Sequence, residues 1–350
     1  MKKILLILSA LLFNVLVGGA LAAASGLPPV AVIGAGSALS LLMPSMPGIM
    51  PMAVQKEIWL ASIVEGLFAD NTFMSKAFSA DEFVNQGRTV HIPNAGIPRT
   101  VTINRNSFPA TIEHRTDIDV DFDLDEFTTA PVRIPHADTV ELSYNKRESV
   151  IGQDRRALFE AVANHFTWLW APASTQHVKT TGGNASAHLP SATGNRKKVK
   201  VADIRLIMDK FNQDDVPQEN RYLLLDAIMY GQLLDALTDK ELVAFHSQAD
   251  PANGVVGKLL SFNVMMRSKA LRYDTSFAKK KWTDAGATTD NAGGLAWHID
   301  SVARALGEIV MFGNESDPLF YGDIYSFLVR AGGTIMRDDK KGIIALVQDT

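Results

Sequence analysis

The sequence predicts an α+β fold, because period-two alternation and helical periodicity occur in mixed order along the chain. Three stretches carry that reading. Residues 88–145 read as extended, residues 148–170 as one long amphipathic helix, and residues 202–237 as a helix, a strand and a second helix.

The extended stretch RTVHIPNAGIPRTVTINRN alternates apolar and polar side chains and is cut by Pro93, Gly96 and Pro98, which suits a long two-stranded excursion. Its clearest signal follows. Asp117, Asp119, Asp121, Asp123 and Asp125 alternate with Ile118, Val120, Phe122 and Leu124, so a strand here places five carboxylates on one face and four apolar groups on the other. Neighbours on one strand face lie about 6.6–7 Å apart, too far to chelate an ion without a turn. The glycine and closing glutamate of an EF-hand loop are also missing. The stripe reads as a solvated or partner-facing face, whose like charges are relieved by basic groups from another strand or another subunit. Arg99, Arg105, Arg115 and Arg133 are the nearby cations; with the five aspartates they are the candidate intersubunit contacts.

In the helical stretch, Leu158, Val162, Phe166 and Trp170 recur every four residues beside Phe159 and Ala163, while Arg156, Glu160 and Asn164 take the other face. Trp168 and Trp170 read as core or subunit contacts rather than a binding stripe. Thr180 to Lys200 is rich in small polar residues, ends in Arg196, Lys197, Lys198 and Lys200, and reads as an exposed loop. Ala202–Asn212 is expected as a helix, Asp214–Pro217 as a turn, Arg221–Leu225 as a strand and Ala227–Leu237 as a helix. Beyond these, Gly254–Val264 is expected as a strand and Ala296–Phe312 as a helix leading into a strand. Tyr321–Arg330 is expected as a helix stopped by Gly332 and Gly333, and Gly342–Gln348 as the last strand.

The first 51 residues differ from the rest. Lys2 and Lys3, an apolar run from Ile4 to about Val17 and the small residues Gly18–Ser25 have the order of a secretory signal. Prolines and glycines then break the apolar stretch before Met52, where an ordinary soluble pattern begins. An export signal, an extension upstream of the true start and a functional arm or membrane segment all fit residues 1–51.

Composition narrows the chemistry. With 350 residues, 47% hydrophobic content and a mean hydropathy of +0.04, the chain can bury one or two large cores and is not disordered. The 34 basic and 38 acidic residues give a net charge of −4, without the broad cationic surface that draws a domain onto nucleic acid. Because residues 1–51 contribute two lysines and no acid, the remaining 299 carry −6. No cysteine is present, which removes thiol nucleophiles, disulfides and thiolate metal sites together. No HExxH, GxSxG or P-loop spacing occurs, and Gly34-Ala35-Gly36 lacks the third glycine of a dinucleotide fingerprint. His91, His114, His136 and His165 read as single surface or hydrogen-bonding residues. No catalytic residue, cofactor, metal or small-molecule substrate is expected.

MAVQKEIWLASIVEGLFADNTF (52–73), VPQENRYLLLDAIMYGQLL (216–234), GVVGKLLSFNVMMRSKAL (254–271) and DPLFYGDIYSFLVRAGGTIMRDDKKGIIALVQ (317–348) together resemble the major capsid proteins of tailed bacteriophages with the HK97-type fold, over about residues 52–350. The chain departs from that pattern at Asp226-Ala227, where proline is frequent, and at Ser261, where glycine is. The resemblance implies an amino-terminal arm (52–87), an extended loop with peripheral-domain strands (88–145), and a spine helix with its following loop (146–200). It further implies an axial domain (202–295) and a return segment with a last helix and strand (296–350). It implies a structural protein of the virion that self-assembles into pentamers and hexamers of an icosahedral head in the bacterial cytoplasm. Its partners would be copies of itself, scaffold, portal and packaged double-stranded DNA held without sequence reading. A secreted or envelope α+β binding protein with a cleaved signal, and an encapsulin-type nanocompartment shell, are the other readings.

Overall fold

The computed structural model describes residues 71–85, 88–93, 101, 103–106, 108–109, 119–135, 146–173, 175–337 and 339–350, all within a unit spanning Ile58–Thr350. The signal-like segment and most of the expected arm lie outside the described residues, as do Asp117, Arg99 and Arg115.

Short strands β1 (Phe78–Ser79), β2 (Val84–Asn85) and β3 (Thr89–Ile92) precede β4 (Val120–Asp123), β5 (Asp125–Thr128) and β6 (Val132–Pro135). Helix α1 (Lys146–Trp170) follows, then β7 (His177–Lys179) and a hairpin of β8 (Asn184–Ser186) and β9 (Asn195–Lys197). Helix α2 (Val201–Gln213) leads into β10 (Arg221–Asp226), α3 (Ala227–Ala236) and α4 (Asp239–His246). The remaining strands are β11 (Val255–Leu259), β12 (Phe262–Arg267), β13 (Leu271–Tyr273), β14 (Asn291–His298), β15 (Val302–Asp317), β16 (Gly322–Ile335) and β17 (Ile343–Val347).

A seven-stranded mixed sheet runs in the order β11-β12-β10-β14-β17-β7, with β13 beside β14. Every residue of β10, β14 and β17 is buried, since both faces are covered. Tyr222 and Leu224 join the core formed with α1, whereas Leu223 and Leu225 join the core formed with α2, α3 and α4. Asp226 ends β10 and starts α3, its carboxylate accepting the Met229 N–H at 2.7 Å, a side-chain cap on an otherwise orphaned donor.

A five-stranded sheet is built on the long hairpin β15–β16, with β1 pairing parallel to the start of β15 and β5 and β6 pairing along β16. The expected four-residue ladder of α1 holds: Leu158, Val162, Phe166 and Trp170 are buried together with Phe327, Val329 and Ala331 of β16. Trp170 also donates its indole N–H to Ala303 O at 3.0 Å. A three-stranded sheet, β2-β3-β4, takes two strands of the 88–145 stretch, β3 and β4.

Several expectations are corrected. Ala296–Phe312 is not a helix: it contributes the end of β14, a 3-10 turn and most of β15. Val302, Ala303 and Ala305 are all buried, because this strand is covered on both faces and so loses its alternation. Tyr321–Arg330 is strand β16. Tyr325, Phe327, Val329 and Ala331 mark its inner face, but Ile324 and Leu328 on the other face mask the period. Gly254–Val264 is a hairpin that turns at Leu260, whose φ of 54° is left-handed. The 180–200 segment is the β8–β9 hairpin, and Arg196 in it is buried, donating to the carbonyls of Thr193, Asn195, Thr288 and Asp290. Its basic end does not form an exposed cationic run.

Gly332 and Gly333, expected to stop a helix, are inside β16 and permit two close approaches. A Cβ on Gly332 would lie 2.9 Å from Asp123 O, where the chain crosses from β4 to β5. One on Gly333 would lie 2.6 Å from Ala303 O and 2.9 Å from Trp170 Nε1.

Candidate functional site

The described part of the acidic stripe runs along β4 and β5. Asp119, Asp121, Asp123 and Asp125 are exposed, Val120 and Phe122 are half-buried, and Leu124 is buried. The stripe is not one strand of one sheet. β4 pairs with β3 in the three-stranded sheet, and β5 pairs with β16 in the five-stranded sheet. Leu124 makes the crossing and donates its N–H to Arg88 O at 2.7 Å.

The apolar side of this ribbon, with Val90 and Ile92 of β3, packs on Ala303 and Ala305 of β15. That contact fixes the face on which the carboxylates stand, because a one-residue slip would reverse it.

Two of the carboxylates find hydrogen-bond partners on histidines the sequence reading placed as single residues. His91 lies directly opposite Asp121 in the β3–β4 register, with Nδ1 2.7 Å from Asp121 Oδ1. His165, on α1, has Nε2 2.5 Å from Asp125 Oδ2. His114 and His136 lie outside the described residues. Arg105 and Arg133 are both exposed. Arg133 is on β6 beside Ile324 of β16, away from the β3–β4 pair. The sequence placed His165 in the long helix and His91 in the extended stretch, but local spacing gave no signal for their partners 40 and 30 residues away.

His165 is the electrostatic centre of this region. Its imidazole is largely buried, packs edge-on to Phe127 at 5.3 Å and lies 5.6 Å from Trp168. Burial pushes its pKa down, Asp125 pulls it up, and Lys281 and Lys279 push it down again; the net direction is down. Lys279 and Lys281 both stand over the Trp168 ring, at 4.7 and 4.5 Å. Lys279 also donates to Trp168 O and Ala171 O, each at 3.0 Å, satisfying carbonyls at the end of α1. Burial, with Lys340 nearby, brings its ammonium down to about 8.

His165 and Asp125 hold a helix to a strand, Lys279 caps that helix, and the carboxylates of β4 face outward. Among the described residues, no group of three or more histidines and carboxylates could hold a metal ion. No helix of the described residues is long and apolar enough to cross a membrane.

No protein-family model and no curated protein matches the chain by sequence. Its architecture does match solved structures. The capsid of Ralstonia phage GP4 aligns over 78% of this chain and 86% of its own, with a TM-score of 0.56 and 9% identity. The head structure of Helicobacter pylori bacteriophage KHP40 aligns over 78% and 89%, with a TM-score of 0.55 and 12% identity. The capsid of cyanophage P-SCSP1u aligns over 77% and 86%, with a TM-score of 0.53 and 17% identity. The chain therefore has the α+β fold of HK97-like phage capsid chains. At these identities the likeness is one of fold.

Proposed function

We propose that this chain is the major capsid subunit of a tailed bacteriophage, assembling into pentamers and hexamers of an icosahedral head that encloses double-stranded DNA. The observation that carries this reading is the capsid fold itself, matched along more than three quarters of the chain. Closure of a shell needs each subunit to present unlike patches at fixed rotations, and a fold that extends ribbons beyond its core provides them. In this reading α1 is the spine helix, residues 202–295 form the axial domain, and residues 88–145 form the loop that overlaps a neighbour. The exposed Asp119, Asp121 and Asp123, with Arg105 and Arg133, are contact residues of that overlap. The role is structural rather than enzymatic. Scaffold, portal and packaged DNA are the further partners, and the chain's net charge of −4 suits a wall that does not grip phosphates while the genome is moved.

Negative-stain microscopy and sedimentation of the purified full chain test this. Closed particles of uniform size are the expected outcome. A chain that stays monomeric at every concentration and is missing from virions of its source overturns the proposal.

A further inference from the structure

Residues 250–254 form a tight turn before β11, and one asparagine in it is set up to react. Asn253 closes the 3-10 turn Pro251–Asn253 and is followed by Gly254, the only Asn-Gly pair in the sequence. With no Cβ on the following residue, the backbone nitrogen after the asparagine can approach its side-chain carbonyl carbon. Gly254 takes a φ of 70°, and its N–H donates to Pro251 O at 3.1 Å. Asp250 and Asn253 are exposed, so water reaches the turn.

Two charged groups from distant parts of the chain grip the Asn253 amide. Lys76 Nζ donates to its Oδ1 at 2.8 Å, and Asp250 Oδ2 accepts from its Nδ2 at 2.6 Å. A lysine ammonium has only protons to give, so the Lys76 contact fixes which end of the amide is oxygen. A positive donor on Oδ1 draws electron density from Cγ and stabilises the negative oxygen that forms there when a nucleophile adds. The nucleophile next along the chain is the Gly254 nitrogen, once its bond to Pro251 O opens.

We propose that Asn253 is a self-modifying site: the folded chain deamidates there, with Lys76 polarising the amide carbonyl and Asp250 holding the amide toward it. The Gly254 nitrogen bonds to Cγ and closes a five-membered ring, its proton passing to water. The Cγ–Nδ2 bond breaks, and Nδ2 leaves as ammonia with a proton from water. A second water opens the ring at either carbonyl, giving aspartate or iso-aspartate, with no oxidant or further reactant.

The site lies where the chain entering from the amino-terminal side is seated. Phe73 and Met74 are buried, Lys76 O accepts the Trp297 indole N–H at 2.7 Å, and a Cβ on Gly254 would overlap Thr72 Oγ1. Aspartate at 253 keeps the Lys76 contact but sets a second carboxylate against Asp250. The iso form adds a methylene to the main chain where Gly254 abuts Thr72, and so loosens the seat of residues 72–76 in one direction.

Mass spectrometry of peptides from the full chain, aged in its folded state at neutral pH, tests this. Residue 253 is expected to convert to aspartate and iso-aspartate ahead of every other asparagine. Lys76→Met with the circular dichroism of the parent is expected to convert about tenfold more slowly, and Lys76→Arg to regain most of the parent rate. Lys76→Gln takes the place of the methionine variant if that one does not fold. Hydrogen exchange of the 72–76 amides is expected to quicken in the iso-aspartate fraction. An Asn253 that outlasts other asparagines, a folded Lys76→Met chain that converts as fast as the parent, or iso-aspartate chain with parent exchange at 72–76 overturns this inference and leaves the shell reading standing. A covalent amide between Lys76 and residue 253 also overturns it, because the lysine nitrogen would then be the nucleophile.

Discussion

The seven-stranded and five-stranded sheets use the same kinds of residue to opposite ends. In the first, β10, β14 and β17 are buried along their whole length between α1 on one face and α2 to α4 on the other. In the second, β16 is buried at alternate residues over 325–331, and the β15–β16 hairpin ends in the exposed Leu319, Phe320 and Tyr321. The first sheet also buries charge. Asp290 is fully buried, taking Arg272 Nε at 2.7 Å and Lys280 Nζ at 2.9 Å, while Arg221 bonds the carbonyls of Pro217 and Val216. A sheet closed on both faces is hidden along its whole length, whereas a sheet that outruns its cover leaves side chains exposed.

Five perturbations break or sharpen that contrast, the strongest first. Trp170→Ala removes the indole that joins the two sheets, in contact with Phe73, Phe166 and Trp297. Urea unfolding is expected to show a loss of about 3–5 kcal/mol. Asp290→Ala leaves Arg272 and Lys280 without their carboxylate in the closed sheet, and a loss of about 3 kcal/mol is expected by the same measurement. Gly333→Ala forces a methyl against Ala303 O and the Trp170 indole, and about 1–3 kcal/mol is expected for such overpacking. An unchanged midpoint for Gly333→Ala would show that α1 and β15 have slack at their junction.

The smallest effects belong to the acidic ribbon. Asp121→Asn removes the partner of a His91 that is half exposed, so under about 0.5 kcal/mol is expected. His165 gives a pH signature instead. Its folded pKa lies below the ordinary value of 6.5, so the unfolded chain binds the proton more readily and stability falls as pH drops through 6.5 toward the folded value. Melting temperature is expected to decline between pH 7 and 5.5, and the decline to be shallower in His165→Gln. An identical slope in that variant would place the titration elsewhere, with His298, which burial also lowers, the next group to replace.

Where one face of an element meets water, local pattern was enough. The α1 ladder, helices α2 and α3 and the outward set of the aspartates follow from spacing along the chain, because exposure of one side imposes a period of 3.6 or 2; β10 and β17, buried on both faces, were legible instead as short apolar runs bounded by turn residues. The elements that were misread carry apolar residues on both faces without a clean period, or are paired at a distance. Val302, Ala303 and Ala305 are all buried, so β15 lost its alternation. Ile324 and Leu328, only half-buried on the second face of β16, hid its period by being apolar. Arg196 was drawn inward by carbonyls as far along the chain as Thr288 and Asp290.

The candidate contacts divide in the same way. That Asp119, Asp121, Asp123 and Asp125 share a face was legible in their spacing. That β4 and β5 belong to different sheets, joined at Leu124 and accommodated by Gly332, was not, because no local period reports where a strand changes partners. His91 and His165 as counterparts of Asp121 and Asp125 depend on residues 30 and 40 positions apart, brought together by register and helix packing. Spacing along a chain reports which side is wet; it takes the folded arrangement of distant segments to choose what stands on the dry side and which charges meet.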